Sequence, residues 1–202
     1  MDINVQNLDG AYEKCKELHT LVSETGADLI GTLENNVNAL KINWKGSDAT
    51  AHINNLIRVH DALVALVTDA KALTSDAADK IIAIQRVRQS NGGFGSVGEE
   101  LAKNAPASQA LPQVQDTGEF FVKPEAANQA AELAELCTKY SGFISSFKTD
   151  KEALFSNWTA GANIEAAKGN FDQFLENSET YNTYLVNAKT NLETAVANMQ
   201  KL

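Results

Sequence analysis

Asn43-Trp44-Lys45-Gly46-Ser47-Asp48 decides how this chain is read. A long helical pattern runs up to the tryptophan, a glycine follows two residues later, and a second helical pattern begins at once. Gly46 can take a positive φ without steric penalty. Ser47 suits an N-cap and Asp48 the first turn of a new helix. The stretch therefore predicts a bend between two helices. Asn157-Trp158-Thr159-Ala160-Gly161 repeats it with one extra residue before the glycine, and the chain has 2 tryptophans in all.

Upstream of the first bend, Leu18, Val22, Leu29, Leu33, Val37, Leu40 and Trp44 fall at steps of 3, 4 or 7, one face of an α-helix. Gly10, Gly26 and Gly31 interrupt it, so this helix must rely on packing more than on propensity. Gly26 sits on the apolar stripe and marks a candidate close helix crossing. Downstream, Ile53, Leu56, His60, Leu63, Val67, Ala70, Ala77, Ile81 and Ile84 continue one face. Ile57, Val59, Val64, Leu66 and Leu73 widen it, which predicts burial against more than one neighbour. A helix over residues 47–89 would be on the order of 60 Å long at about 1.5 Å per residue.

The pattern breaks after residue 89. Asn91-Gly92-Gly93-Phe94-Gly95-Ser96-Val97-Gly98 is a glycine cluster, and Pro106 and Pro112 follow in an Ala/Ser/Gln-rich stretch. Residues 91–118 read as a flexible linker or partly ordered crossover, with room for a short helix over residues 99–104. Pro124 then suits a first helical position and Glu125 a first turn. The next stripe is Leu136, Tyr140, Phe143, Phe147, Leu154 and Trp158. A single offset of 114 residues superposes it on Val22, Gly26, Leu29, Leu33, Leu40 and Trp44, tryptophan on tryptophan. That is an internal repeat by pattern. Asn163 can cap the last helix, whose stripe is Ile164, Ala167, Phe171, Phe174, Ser178, Tyr181, Leu185, Ala188, Leu192, Ala195, Met199 and Leu202, the seam of a helix packed in coiled-coil fashion. The fold class predicted is all-α: two long helical hairpins in tandem, closing on each other as an antiparallel four-helix bundle.

Composition narrows the function classes. The net charge of −9 is shared between the halves, since residues 1–90 carry 9 basic and 12 acidic side chains and residues 91–202 carry 8 and 14. That argues against a nucleic-acid or anionic-membrane surface. Cys15 and Cys137 are too few for a disulfide framework and read as reduced thiols on helix faces. Met1-Asp2-Ile3-Asn4-Val5 has neither the basic region nor the apolar core of a cleaved signal. The longest apolar run, Ala62-Leu63-Val64-Ala65-Leu66-Val67, is far short of the ~20 residues of a membrane span.

Few residues invite chemistry. Gly93, Gly95 and Gly98 satisfy G-x-G-x-x-G, but that pattern needs a preceding strand to mean dinucleotide binding, and a helical pattern precedes it here. Asp48 and His52 are i, i+4 neighbours, but two ligands do not make a metal site. His60 lies on the apolar stripe, and if it is buried neutral its protonation should loosen the bundle in acid. No nucleophile motif, paired carboxylates or phosphate loop appears. The reading is of a non-catalytic protein without metal or cofactor. Trp44 and Trp158 read first as packing anchors that lock each bend, and as recognition residues if exposed.

Helix, Trp-x-Gly, helix in roughly 90 residues resembles the WXG family, the ESAT-like small helical hairpins of type VII secretion. Trp44-Lys45-Gly46 matches its motif, and Trp158-Thr159-Ala160-Gly161 is a degenerate copy. The resemblance covers two WXG-like hairpins, residues 1–90 and 119–202, leaving 91–118 as linker. It implies turn motifs at Trp44, Gly46, Trp158 and Gly161. Members of the family pair as dimers into four-helix bundles and leave the cell without a cleaved signal, as substrates or carriers. For this chain it implies a monomer whose hairpins pair within one chain, cytoplasmic before export and secreted or cell-surface after it. The implied partners are proteins of the secretion machinery or a co-secreted effector, with no nucleic acid and no stable membrane insertion. The family's Tyr-x-x-x-Asp/Glu export signal is missing: Tyr12, Tyr181 and Tyr184 are followed at the fourth position by Lys16, Leu185 and Ala188, and Tyr140 by no acid. The competing class is a helical membrane-active protein, such as a pore-forming toxin component, for which 62–67 is the candidate inserting segment.

Overall fold

The computed structural model describes residues 7–159, 161 and 163–199; Met1–Val5, Ala160 and Leu202, which figured in the sequence reading, lie outside them. Four long helices account for most of the chain: α1 (Leu8–Asn43), α2 (Ser47–Ser90), α3 (Ala126–Asn157) and α4 (Ile164–Met199). The fold is all-α, two antiparallel hairpins that supply a four-helix bundle. A two-residue strand β1 (Trp44–Lys45) pairs antiparallel with β2 (Phe121–Val122), Trp44 opposite Val122 and Lys45 opposite Phe121. Among the described residues no helix is long and apolar enough to cross a membrane.

Each hairpin bends where the sequence placed it. Gly46 has φ 127° and Gly161 φ 144°. The first bend differs in one detail. The Thr50 N–H donates to the Gly46 carbonyl at 2.9 Å, so Gly46 holds the N-cap position and Ser47 opens the helix. At the second bend the Ala167 N–H donates to the Asn163 carbonyl at 3.0 Å, and Asn163 is the cap. α2 ends in a glycine C-cap: Gly92 has φ 77°, and the Gly93 N–H donates back to the Arg88 carbonyl at 2.9 Å. Pro124 introduces α3 through an i→i−3 turn, the Ala127 N–H donating to its carbonyl at 3.1 Å, rather than standing in the helix itself.

The chain divides into two compact units, and every helix contributes to both. Unit 1 comprises Met1–Gly26, Leu66–Pro106 and Phe143–Asn177. Its core joins Leu18, Val22, Val67, Ala70, Ala77 and Ile81 to Phe143, Phe147, Leu154, Trp158 and Phe171, all buried. The aromatic rings of α3 and α4 pack on one another, Phe147 lying tilted 4.5 Å from Phe174 and stacked 5.8 Å from Phe171 between ring centres. Aromatic rings from one hairpin and aliphatic side chains from the other are buried together in this unit. Gly26 is the tightest point, since a Cβ built there would lie 2.7 Å from Val67 Cγ1. The close crossing expected from its place on the stripe is real.

Unit 2 comprises Ala27–Ala65, Ala107–Gly142 and Ser178–Leu202. Leu29, Leu33, Val37, Leu40, Trp44, Ile53, Leu56 and Leu63 are buried with Leu133, Leu136, Tyr140, Tyr181, Leu185 and Leu192. Val196 takes the buried place that the sequence pattern gave to Ala195, which is half-buried. Polar side chains cross-link this core. Asn36 Nδ2 donates to the Gln129 carbonyl at 2.7 Å, and Tyr140 Oη to the Ser178 carbonyl at 3.1 Å.

The crossover contains no helix over residues 99–104. In unit 1 it is held by side chains of hairpin 1. The Gly98 N–H donates to Gln85 Oε1 at 3.0 Å, Tyr12 Oη donates to the Glu99 carbonyl at 2.9 Å, and Lys103 Nζ pairs with Asp76 and Asp79. In unit 2 it is held by Glu34, Lys41, Asn54 and β1.

Candidate interaction surfaces at the hairpin bends

The four residues singled out by sequence fall into two separate sites. Trp44 and Gly46 belong to unit 2, Trp158 and Gly161 to unit 1. Both tryptophans are 1% exposed. They are packing anchors, not a displayed recognition pair. The Trp44 ring stacks on His52 of α2, 5.4 Å between centres and 23° from parallel. The Trp158 ring stacks on Phe155 of α3 at 5.8 Å and 18°. Neither indole N–H has an acceptor among the described residues, so each ring is held by apolar contact and shape alone.

The bends are tied to residues outside their own turn. The carbonyl of Asn43, beside Trp44, accepts the Lys123 N–H at 2.8 Å. Asn43 Nδ2 also donates to Gln129 Oε1 of α3 at 3.4 Å. In unit 1, Asn7 Nδ2 donates to Asn157 Oδ1 at 3.1 Å, and a Cβ at Gly161 would stand 3.8 Å from Ile84 Cδ1. Each bend therefore meets residues of the other hairpin.

Exposed apolar side chains stand beside the first bend and on the loop after α2. Ile42, Phe120 (70% exposed) and Phe121 flank the Trp44 bend. In unit 1, Phe94 stands 95% exposed on the glycine loop after α2. That loop is braced from below: Arg88 donates to Asp9 Oδ1 at 2.9 Å and to the Ser96 carbonyl at 3.0 Å. The loop follows a helix and not a strand, so Gly93, Gly95 and Gly98 lack the strand context of a dinucleotide fingerprint. A cleft of about 390 Å³ in unit 2 is lined by Arg58, Val59, Tyr181, Tyr184, Asn187 and Asn191.

The titratable residues have structural surroundings. Asp48 and His52 gain no third ligand, and among the described residues no three His, Cys, Asp or Glu side chains form a metal-ligand set. Partial burial holds the His52 imidazole below its ordinary pKa, against an upward pull from Asp48, and burial with Lys71 nearby does the same to His19. His60 is buried, but its Nε2 faces Glu34 Oε1 at 3.2 Å and its Nδ1 faces Asp61 Oδ1 at 3.1 Å. Both ring nitrogens thus face carboxylate oxygens. Cys15 and Cys137 are free. Burial pushes the Cys15 thiol up to about 12, far from a reactive thiolate.

Glu34, Asn36, Asn54 and Gln129 carry much of the polar cross-linking and were not singled out by sequence. Their signal was weak but present: Glu34 and Asn36 are polar residues beside the α1 stripe, and both are buried. No family model, no curated protein and no solved structure matches this chain.

Proposed function

We propose that this chain is a non-catalytic interaction protein of the type VII secretion kind, resembling two WXG-like hairpins fused in tandem. It acts as an exported substrate or as the carrier of an exported partner. The observation that supports this most is the repeated bend: a buried tryptophan closing one long helix, a glycine at positive φ, and a second long helix, twice in one chain with the tryptophans 114 residues apart. On this reading the fused hairpins replace the dimer of the family, and the protein is a monomer. Partner recognition then falls to surfaces outside the core, since both tryptophans are spent on packing.

The test is made in the native cell. The protein should accumulate in the culture medium, or co-purify from the cytosol with a protein that does, and the accumulation in the medium should vanish when the membrane ATPase of the type VII system is deleted. Its absence from the medium together with no exported partner would overturn the reading.

A further inference from the structure

In unit 2, hairpin 1 grips the main chain of the crossover and largely ignores its side chains. Asn54 clasps residue 114 on both sides: its Nδ2 donates to the Val114 carbonyl at 3.0 Å, and its Oδ1 accepts the Val114 N–H at 2.8 Å. A side-chain amide used this way imitates one rung of a β-ladder. Glu34 Oε1 accepts the Gln109 N–H at 2.6 Å, and Lys41 Nζ donates to the Pro112 carbonyl at 3.4 Å. β1 then pairs with Phe121 and Val122. Over residues 107–122 one side chain is buried, Leu111 at 8% exposed. Glu34 is itself fixed by His60.

We infer that this face of hairpin 1 is a site for extended polypeptide, that residues 107–122 are its resident occupant, and that an extended segment of a partner protein can take their place. Main-chain recognition supplies affinity with little demand on sequence, as in strand addition to a sheet edge. The site asks for a free N–H at the positions of Gln109 and Val114 and an aliphatic side chain at the position of Leu111. The resident segment is exchangeable because it contributes so little apolar burial. It holds its place by being tethered, at an effective concentration on the order of millimolar. A partner segment therefore binds when the resident's own hold is weakened or when the partner is engaged elsewhere as well.

The test weakens the resident and leaves the site intact. In the full chain, Gln109→Pro with Val114→Pro removes the two N–H donors. A fluorescent synthetic peptide of residues 107–123 should bind this variant at least tenfold more tightly than it binds wild type, read by anisotropy. Adding Asn54→Ala should reverse that gain, and a peptide carrying Leu111→Asp should not bind. The inference is overturned if the variant keeps its helical signal and cooperative melting yet binds the peptide no better than wild type, or if Asn54→Ala changes nothing. Native-state hydrogen exchange on wild type decides the case should the variant fold poorly. The Gln109 and Val114 amides should exchange at least 100-fold faster than those of Leu40 and Leu56, by a local opening that leaves the helices closed. Equal protection would show a segment that never leaves.

Discussion

At the Trp44 bend one residue separates the indole from its glycine, the ring stacks on His52 in the helix that follows, and the crossover adds a strand. At the Trp158 bend two residues intervene, the ring stacks on Phe155 in the helix just finished, and among the described residues no strand pairs with the turn. The burial of the indole is the same in both. A long hairpin therefore needs a large apolar anchor at its tip and a residue free to reverse the chain. How the anchor is flanked is a local solution. Both rings are held without a bond to their N–H, which fixes how they respond to substitution. Trp44→Ala and Trp158→Ala should each cost about 3–5 kcal/mol in urea unfolding, while Trp→Phe at either site should keep the larger share of that stability. A Trp→Phe loss as great as Trp→Ala would show that the indole N–H does have a partner, and the equivalence of the two anchors would fail there.

The glycines test the difference between the bends. Both stand at positive φ, in a region that side chains avoid, so alanine should cost about 1–3 kcal/mol at either position. Gly46 has a second constraint. Its added Cβ would meet Phe120 Cδ2 at 3.0 Å, whereas at Gly161 the nearest atoms stand at 3.8 Å. Gly46→Ala should therefore be the more destabilising of the two, and Phe120→Ala should bring it level with Gly161→Ala. If Phe120→Ala leaves the gap unchanged, the crossover does not constrain the first bend.

Much of this was legible because core residues write themselves at helical spacing. The stripe residues from Leu18 to Trp44 and from Leu136 to Trp158 are all buried, and the bends fall where tryptophan and glycine punctuate them. The crossover left no such mark. Its contacts run from side chains such as Asn54 and Gln85 to main-chain atoms, and a main-chain N–H is the same whichever residue carries it. A stretch rich in alanine, serine and glutamine thus carries no pattern that marks where its main chain is bonded. The β1–β2 pair was hidden for a related reason, since two residues are too few for an alternating pattern to show. Gly46 outcompeted Ser47 for the cap because the reversal needed its φ one residue earlier.

The repeat also sets Gly26 of α1 against Tyr140 of α3, its counterpart at an offset of 114 residues. One has no side chain because Val67 occupies the space; the other fills its space and reaches the Ser178 carbonyl. Gly26→Ala should cost about 1–3 kcal/mol by overpacking, although alanine is the better helix former. Gly31→Ala on the same helix, with nothing within 4 Å of the added Cβ, should instead stabilise by about 0.5–1 kcal/mol. Tyr140→Phe should cost about 1 kcal/mol, the net worth of one hydrogen bond. A neutral Gly26→Ala would mean that Val67 yields, and the pairing of an empty position with a filled one would lose its meaning.

The smallest effect expected is the dependence of the first bend on pH. Burial holds the His52 imidazole below its ordinary value of 6.5, with Asp48 opposing it. The folded state then binds fewer protons than the unfolded state below that value, so the stability from a neutral His52 is present above pH 6.5 and is lost as pH falls through the folded pKa. The Trp158 bend stacks on Phe155, which does not titrate. Between pH 7 and pH 5 the melting temperature of wild type should therefore fall more than that of His52→Phe, the remaining fall in the variant including the contribution of His19. The His52 ring protons should titrate with a midpoint below 6.5 when followed by NMR. A midpoint above 6.5 would mean that Asp48 outweighs burial. The sign would then reverse, and acid would strengthen the stack on Trp44 through the attraction of an imidazolium for the indole face.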